Sequence, residues 1–328
     1  MSTAAASPHG RTAATDPTAA TDPEGDREGG APALPQPRSF DEVPGWLYRT
    51  DLVLFDWFLS RQRELGHRGD LLEMGAYMGK SAILMRVYLD PAEERFTVCD
   101  LFDSEAPDAA NGDETRGSYA TLTRRAFEAN YRAFWDDLPH LLQAPTTVVP
   151  GEVADGSCRF VHVDASHLYE HVHGDIAAAR NALGPEGLVV LDDYRSDHTP
   201  GVACATWQAV LESGLRPVCV SSHKFYGTWG DARPWQDALH AALRERGRCW
   251  LQWQQVAGRR MLLVGARKSD PPPVPVSRYA VAESGTPGGA SSAGSRHRTR
   301  AARRLAVDLL PPVVTRALVR ARTARRAG

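Results

Sequence analysis

Asp70-Leu-Leu-Glu-Met-Gly-Ala-Tyr-Met-Gly-Lys-Ser81 is the stretch that decides the fold. Leu71 and Leu72 read as a short buried strand, and from Lys80 to Leu89 apolar residues recur at helical spacing. Between them, Gly75 and Gly79 let the backbone turn tightly and approach a ligand closely. A Gly-rich turn from a first strand into a first helix is where open α/β sheets receive nucleotides. The Gly79-Lys80-Ser81 end invites comparison with a phosphate-binding P-loop. That loop needs four residues between its first glycine and Gly-Lys-Ser, whereas only Ala76, Tyr77 and Met78 stand here. The dinucleotide pattern fails as well, because the second residue after Gly75 is Tyr77.

The same alternation continues outward. Asp51–Leu65 reads as a helix capped by Thr50 or Asp51. Phe96–Asp100 reads as a second strand, Asp103–Gly117 as a polar loop and Ser118–Trp135 as a helix. Thr146–Val149, Arg159–Val163 and Gly187–Leu191 read as further strands, with a helix over Leu168–Leu183. Helices follow at Val202–Ser213 and Asp231–Arg246, and strand-like runs at Arg216–Val220, Lys224–Trp229 and across Trp250–Val264. Such a series predicts an α/β fold: a Rossmann-like, doubly wound, mostly parallel seven-stranded sheet with helices on both faces. The predicted organisation is a disordered segment over 1–37, one domain over 38–268, and a Pro/Gly/Ser-rich linker with a basic tail over 269–328. Within that tail, Asp308–Arg326 has the spacing of a short basic amphipathic helix.

The net charge of the 328 residues is −2, yet from Arg296 onward ten arginines face one acid, Asp308. That tail carries +9, which leaves about −11 for residues 1–295, so no broad basic face for nucleic acid is expected on the body. Lysine occurs only at 80, 224 and 268, against 35 arginines. Five scattered cysteines without a CxxC pair point to free thiols in a reducing compartment, and the N-terminus lacks the apolar core of a secretory signal. No run approaches the ~18 apolar residues of a membrane span. A cytoplasmic protein is the expectation, and homo-oligomerisation stays open.

Two constellations carry chemistry. In the first, Glu73 at a strand end can accept from an ammonium group, and Asp100 at the next strand end can take both hydroxyls of a ribose. An amino-acid head, a ribose and an adenine together make S-adenosylmethionine. Glu73-x-Gly75-x-x-x-Gly79-Lys80-Ser81, followed by Asp100, resembles the first two motifs of class I methyltransferases. The resemblance implies a cofactor site at Glu73, Gly75, Ala76, Tyr77, Gly79, Lys80, Ser81, Asp100 and Asp164.

In the second, the fourth strand runs into Asp164-Ala-Ser-His167-Leu-Tyr169-Glu170 and the fifth into Leu191-Asp192-Asp193-Tyr194. Adjacent parallel strands would bring Asp164, Asp192 and Asp193 to one edge of a pocket, where three carboxylates repel unless a cation or protons intervene. Oxygen-only ligands suit Mg²⁺. This pattern resembles methyltransferase family 24. Its spacing is similar to that of catechol-type and macrolide-sugar O-methyltransferases, whose equivalent positions bind Mg²⁺. Catechol-type enzymes carry a base lysine three residues after the first metal aspartate, and here that position is His167. Their third ligand is often asparagine, and here it is Asp193.

The resemblance covers residues 70–195 and implies an S-adenosylmethionine-dependent O-methyltransferase acting on a hydroxyl of a sugar or polyketide-type molecule. Asp164, Asp192 and Asp193 would hold the metal, and His167 and Asp164 would serve catalysis. The aromatic run Phe225–Trp229 would wall the acceptor site. The competing readings are a metal-independent methyltransferase, a non-methylating nucleotide-binding or hydroxylase-type relative, and a P-loop phosphotransferase.

Overall fold

The computed structural model describes residues 34–119 and 121–280. The predicted N-terminal segment up to residue 33 and the basic tail from 281 lie outside the described residues. The elements in chain order are α1 (Arg49–Glu64), β1 (Asp70–Met74), α2 (Lys80–Met85), β2 (Phe96–Asp100), α3 (Ala109–Ser118), α4 (Arg124–Arg132) and β3 (His140–Gln143). There follow α5 (Val149–Glu152), β4 (Cys158–Val163), α6 (Tyr169–Ala182), β5 (Leu183–Leu191) and α7 (Pro200–Glu212). The series closes with β6 (Arg216–Val220), β7 (Phe225–Thr228), α8 (Ala232–Arg246), β8 (Trp250–Val256) and β9 (Arg259–Gly265).

One sheet takes the order β3-β2-β1-β4-β5-β7-β6-β9-β8. β3, β2, β1, β4 and β5 are mutually parallel, and β7 runs antiparallel between β5 and β6. The expected seven strands become nine because Trp250–Val264 folds as the hairpin β8–β9, with β9 parallel to β6. Along β1, β2, β4 and β5, successive side chains enter opposite faces, as the two-residue period of a strand requires. Leu71, Val98, Phe160 and Leu188 pack in one apolar layer, and Leu72, Cys99, Val161 and Val189 in the other.

Three local expectations change. The third strand is His140–Gln143 rather than Thr146–Val149. Pro145 precedes the β-branched run and Pro150 opens α5, so that run coils into a helical turn. The true β3 is half-exposed at the sheet edge and lacks a buried strand's apolar signature. The expected loop over Asp103–Gly117 contains α3, entered through Asp108, whose Oδ1 accepts from Asn111 N at 2.9 Å. Finally, α1 starts two residues early, at Arg49. Thr50 and Asp51 are buried staples rather than caps: Ala266 N donates to Thr50 Oγ1 (3.0 Å) and Tyr226 Oη to Asp51 Oδ1 (2.9 Å).

β1 leads one way to β2 and the other way to β4, so the order reverses between β1 and β4, which opens a crevice at their carboxyl ends. Beyond residue 268 the chain stays on this body. Arg246 Nε donates to Ser269 Oγ (2.8 Å), Ser277 Oγ to Pro37 O (2.5 Å) and Arg278 N to Ala133 O (2.8 Å). Among the described residues no helix is long and apolar enough to cross a membrane.

Candidate active site

Glu73 pairs in register with His162 on the neighbouring parallel strand, so the two side chains share a face. Glu73 Oε1 lies 2.8 Å from His162 Nδ1, while among the described residues buried Oε2 makes no hydrogen bond of good geometry, although the Ser81 hydroxyl acts on the carboxyl. Burial pushes the Glu73 carboxyl up to about 8.

Gly75 then turns the chain with φ +82°. A β-carbon there would lie 2.1 Å from Asp164 O, so glycine is required because the loop lies against the backbone leaving β4. The loop amides gather on the tip of β2. Asp100 Oδ2 accepts from Ala76 N (2.7 Å) and Tyr77 N (3.1 Å), and Oδ1 from Phe102 N (2.6 Å). Burial raises the Asp100 pKa although these three donors favour its charge. Tyr77 and Phe102 both adopt positive φ, 47° and 51°, so the structure around this carboxylate holds two non-glycine residues in a sparsely populated conformation.

Gly79 caps α2 at φ +88°. Ser81 is buried in the first turn of α2. Lys80 reaches away from the loop: its Nζ donates to Val43 O at 3.0 Å and lies 5.6 Å above the Phe40 ring. It ties the segment before α1 to the first turn of α2.

At the next two strand tips the ladder continues by one residue. Asp164 N donates to Met74 O (2.7 Å) and Asp192 N to Val163 O (2.9 Å), which sets these aspartates side by side. Among the described residues, the group of metal-capable side chains that converges is His162, Asp164 and Asp192, with ligand atoms within 4.8 Å of one another. Asp193 is brought to the same edge but turns elsewhere, at φ 53°. Its Oδ1 accepts from Ser196 Oγ (2.5 Å) and its Oδ2 meets His167 Nε2 (3.2 Å). Burial works against the Asp193 charge, but the bonds from His167 and Ser196 outweigh it and hold its carboxyl below the ordinary range.

Lys224 is the residue that sequence reasoning missed. It immediately precedes β7, whose Phe225 pairs with Leu191 of antiparallel β5, so it enters the sheet edge beside Asp192. The signal lay in that register, which a single sequence does not display. Lys224 is buried, and its Nζ meets Asp192 Oδ2 and lies 3.2 Å from His162 Nε2. An ammonium group only donates, so His162 Nε2 accepts and Nδ1 carries the proton given to Glu73. Burial, with Lys224 adding to it, holds His162 well below its ordinary pKa, hence neutral. Burial disfavours the Lys224 charge, yet Asp192, Asp164 and Asp51 more than compensate and raise its pKa. Asp192 is depressed because Lys224 overcomes its desolvation. Asp164 is raised well above the usual carboxylate range, first by desolvation and then by Asp192. The pair thus carries one negative charge, already balanced by one ammonium.

This arrangement does not suit the expected divalent ion. One of its three ligands, Asp193, is committed to His167 and Ser196, and a cation already stands on Asp192. A double positive charge about 4 Å from an ammonium meets roughly 8 kcal/mol of repulsion at an effective dielectric of 20.

The acceptor wall expected at Phe225–Trp229 is core instead: Phe225 and Tyr226 are fully buried, and Trp229 Nε1 donates to Ser213 O. The aromatic surface near the loop comes from elsewhere. Trp46 stacks on Tyr77 (5.4 Å), Tyr119 tilts against Tyr77 (5.6 Å), and Tyr48 stacks on His223 (4.1 Å). A small hollow between β4, β5, α6 and α7 is lined by Asp164, Ser166, His167 and Asp192.

Residues 72–194 match a family model described as a methyltransferase domain. No curated protein matches the chain. Among solved structures, the O-methyltransferase NovP superposes over 56% of this chain and 80% of its own, with 19% identity and a TM-score of 0.47. The calicheamicin methyltransferase CalS11 covers 58% and 84%, with 23% identity and a TM-score of 0.40. The methyltransferase PaMTH1 of Podospora anserina, bound to S-adenosylhomocysteine, covers 55% and 79%, with 14% identity and a TM-score of 0.39.

Proposed function

We propose that this chain, which carries a methyltransferase domain over residues 72–194 and is a class I S-adenosylmethionine-dependent methyltransferase, methylates a hydroxyl oxygen of a small molecule. The observation that carries the cofactor side is the buried Oε2 of Glu73, which makes no hydrogen bond of good geometry among the described residues, one strand from Asp100, whose carboxylate is held at the loop edge by the amides of Ala76 and Tyr77. An ammonium group suits the first and ribose hydroxyls the second, in exchange for amide bonds. When bound, the cofactor supplies an activated methyl carbon.

The chain's own task is to align a nucleophile and remove its proton. His167 suits that work, because an imidazole can take and release a proton near neutral pH. Its Nε2 faces the Asp193 carboxylate, which fixes the ring and would stabilise the imidazolium formed when the ring takes the hydroxyl proton. Asp164 and Asp192 form the polar floor beside it. The form of this reading that uses Asp164, Asp192 and Asp193 as Mg²⁺ ligands finds Asp193 turned away and Lys224 in place, so no step is routed through an ion. The aromatic faces of Trp46, Tyr77 and Tyr119 suit a bulky, partly apolar acceptor such as a glycosylated or polyketide-type molecule.

Calorimetry with S-adenosylhomocysteine, ATP and NAD tests the cofactor assignment. The first should bind, and Asp100→Ala should weaken it about tenfold or more. Methyl transfer from labelled cofactor to a panel of hydroxylated acceptors tests the rest. His167→Ala should lower kcat by about 10²–10⁴. Binding of ATP or NAD in place of S-adenosylhomocysteine refutes the assignment.

A further inference from the structure

We infer that the Lys224 ammonium is the resident cation of the Asp164–Asp192 pair, standing where a divalent ion would otherwise be needed, so that the chain binds no such ion there. The inference rests on geometry and charge at the β4, β5 and β7 tips and would stand even if the methylated group were not a hydroxyl.

Lys224 is placed by the fold rather than arriving by chance. Its backbone is pinned in a tight turn, with Lys224 N donating to Ser221 Oγ (2.9 Å) and Ser221 N to Lys224 O (2.9 Å). β7 is hydrogen-bonded on both edges, to β5 and β6, so the strand that carries it forward cannot slide. The side chain is 1% exposed, with Nζ on Asp192 Oδ2 and 3.2 Å from His162 Nε2. Asp51 and Asp164 also contribute to its field. His162 adds a geometric point. It is one of the three side chains that converge tightly enough to hold a metal, yet its Nε2 already faces the ammonium and its Nδ1 faces Glu73.

The residue type agrees. This chain uses arginine 35 times and lysine three times, and the cation buried here is a lysine. A compact tetrahedral ammonium with three donors can serve Asp192 and His162 together, whereas a planar guanidinium fork presents its donors in one plane.

The experiment uses the full chain and Mn²⁺ as probe, followed by paramagnetic resonance of free ion and by calorimetry, with thermal unfolding in chelator alongside. Wild type should bind no stoichiometric Mn²⁺, and chelator should leave its Tm unchanged. Lys224→Met removes the charge and keeps an unbranched side chain. It should bind one Mn²⁺ at least tenfold more tightly than wild type, with a rise in Tm on adding the ion. Asp192→Asn in the Lys224→Met background should abolish that gain.

One Mn²⁺ per wild-type chain, lost in Asp192→Asn, overturns the inference, and so does a folded Lys224→Met that gains no affinity. If Lys224→Met does not fold, the wild-type titration against Asp192→Asn decides alone: stoichiometric binding overturns the inference, and no binding supports it. None of these readouts needs cofactor or acceptor, so failure here is distinct from failure to bind S-adenosylhomocysteine.

Discussion

Replacing Asp192 by Asn would leave a buried ammonium without its carboxylate, and the structure sets the size of the loss. Removing one partner of a buried ion pair costs about 3–5 kcal/mol, because the remaining charge stays desolvated. Lys224 is 1% exposed and Asp192 9%, so solvent screening offers little relief. Two features soften the effect. The Asn carbonyl can still accept a hydrogen bond, and Asp164, whose carboxyl is raised partly by Asp192, can ionise in its place. The expected loss therefore lies near the lower bound, about 3 kcal/mol. At about 2–4 °C per kcal/mol for a domain of this size, Tm should fall by roughly 6–12 °C.

Urea unfolding followed by circular dichroism would measure the loss as a lower midpoint at unchanged slope. The control is Asp193→Asn. Its side chain is 27% exposed and bonded to His167 and Ser196 rather than to the ammonium, so about 1 kcal/mol is expected. In a double-mutant cycle with Lys224→Met, the Asp192→Asn cost should shrink by about 2 kcal/mol or more. An Asp192→Asn loss below 1 kcal/mol, or a larger loss for Asp193→Asn, would refute the placement of the cation.

Two further outcomes follow from the loop at the tip of β1. Gly75→Ala should destabilise by at least about 3 kcal/mol, combining positive-φ strain with a clash against Asp164 O. Gly66→Ala, at φ +72° with no atom of the described residues within 4 Å, should cost only about 1–2 kcal/mol, and equal losses in urea titrations would contradict the close approach. Folded Glu73 keeps its proton to about pH 8, whereas the unfolded chain releases it near its ordinary value of 4.5. Between those limits the native state binds more protons, so the stabilisation present at pH 4.5 fades as pH rises toward 8. The wild-type minus Glu73→Gln stability difference, measured from pH 5 to 8.5, should decline by a few kcal/mol, and a flat difference would remove the buried-proton account.

The geometry of the first turn was legible because it is local. Gly75, Gly79 and the failed P-loop spacing sit within twelve residues, and Asp100 follows at the next strand end. The β–α alternation gave the parallel half of the sheet for the same reason, since buried strands and amphipathic helices advertise their periods. β3 escaped because an edge strand is half-exposed and its apolar signal is diluted, while the β-branched residues after Pro145 imitated a strand they do not form. The aromatics at Phe225 and Tyr226 looked like a pocket wall, and burial within the sheet made them core.

From the residues alone came the glycine turn after β1, the acids at the strand tips and His167 within reach of them. Tertiary structure decided which way the acids turn and what balances their charge. Asp193 bends toward His167, and a lysine 32 residues beyond Asp192 is delivered to it by antiparallel pairing of β7 with β5. Hydrogen-bonding capacity is written in a side chain, but the neighbour that satisfies it depends on register between distant strands, and that register is fixed only when the whole sheet closes.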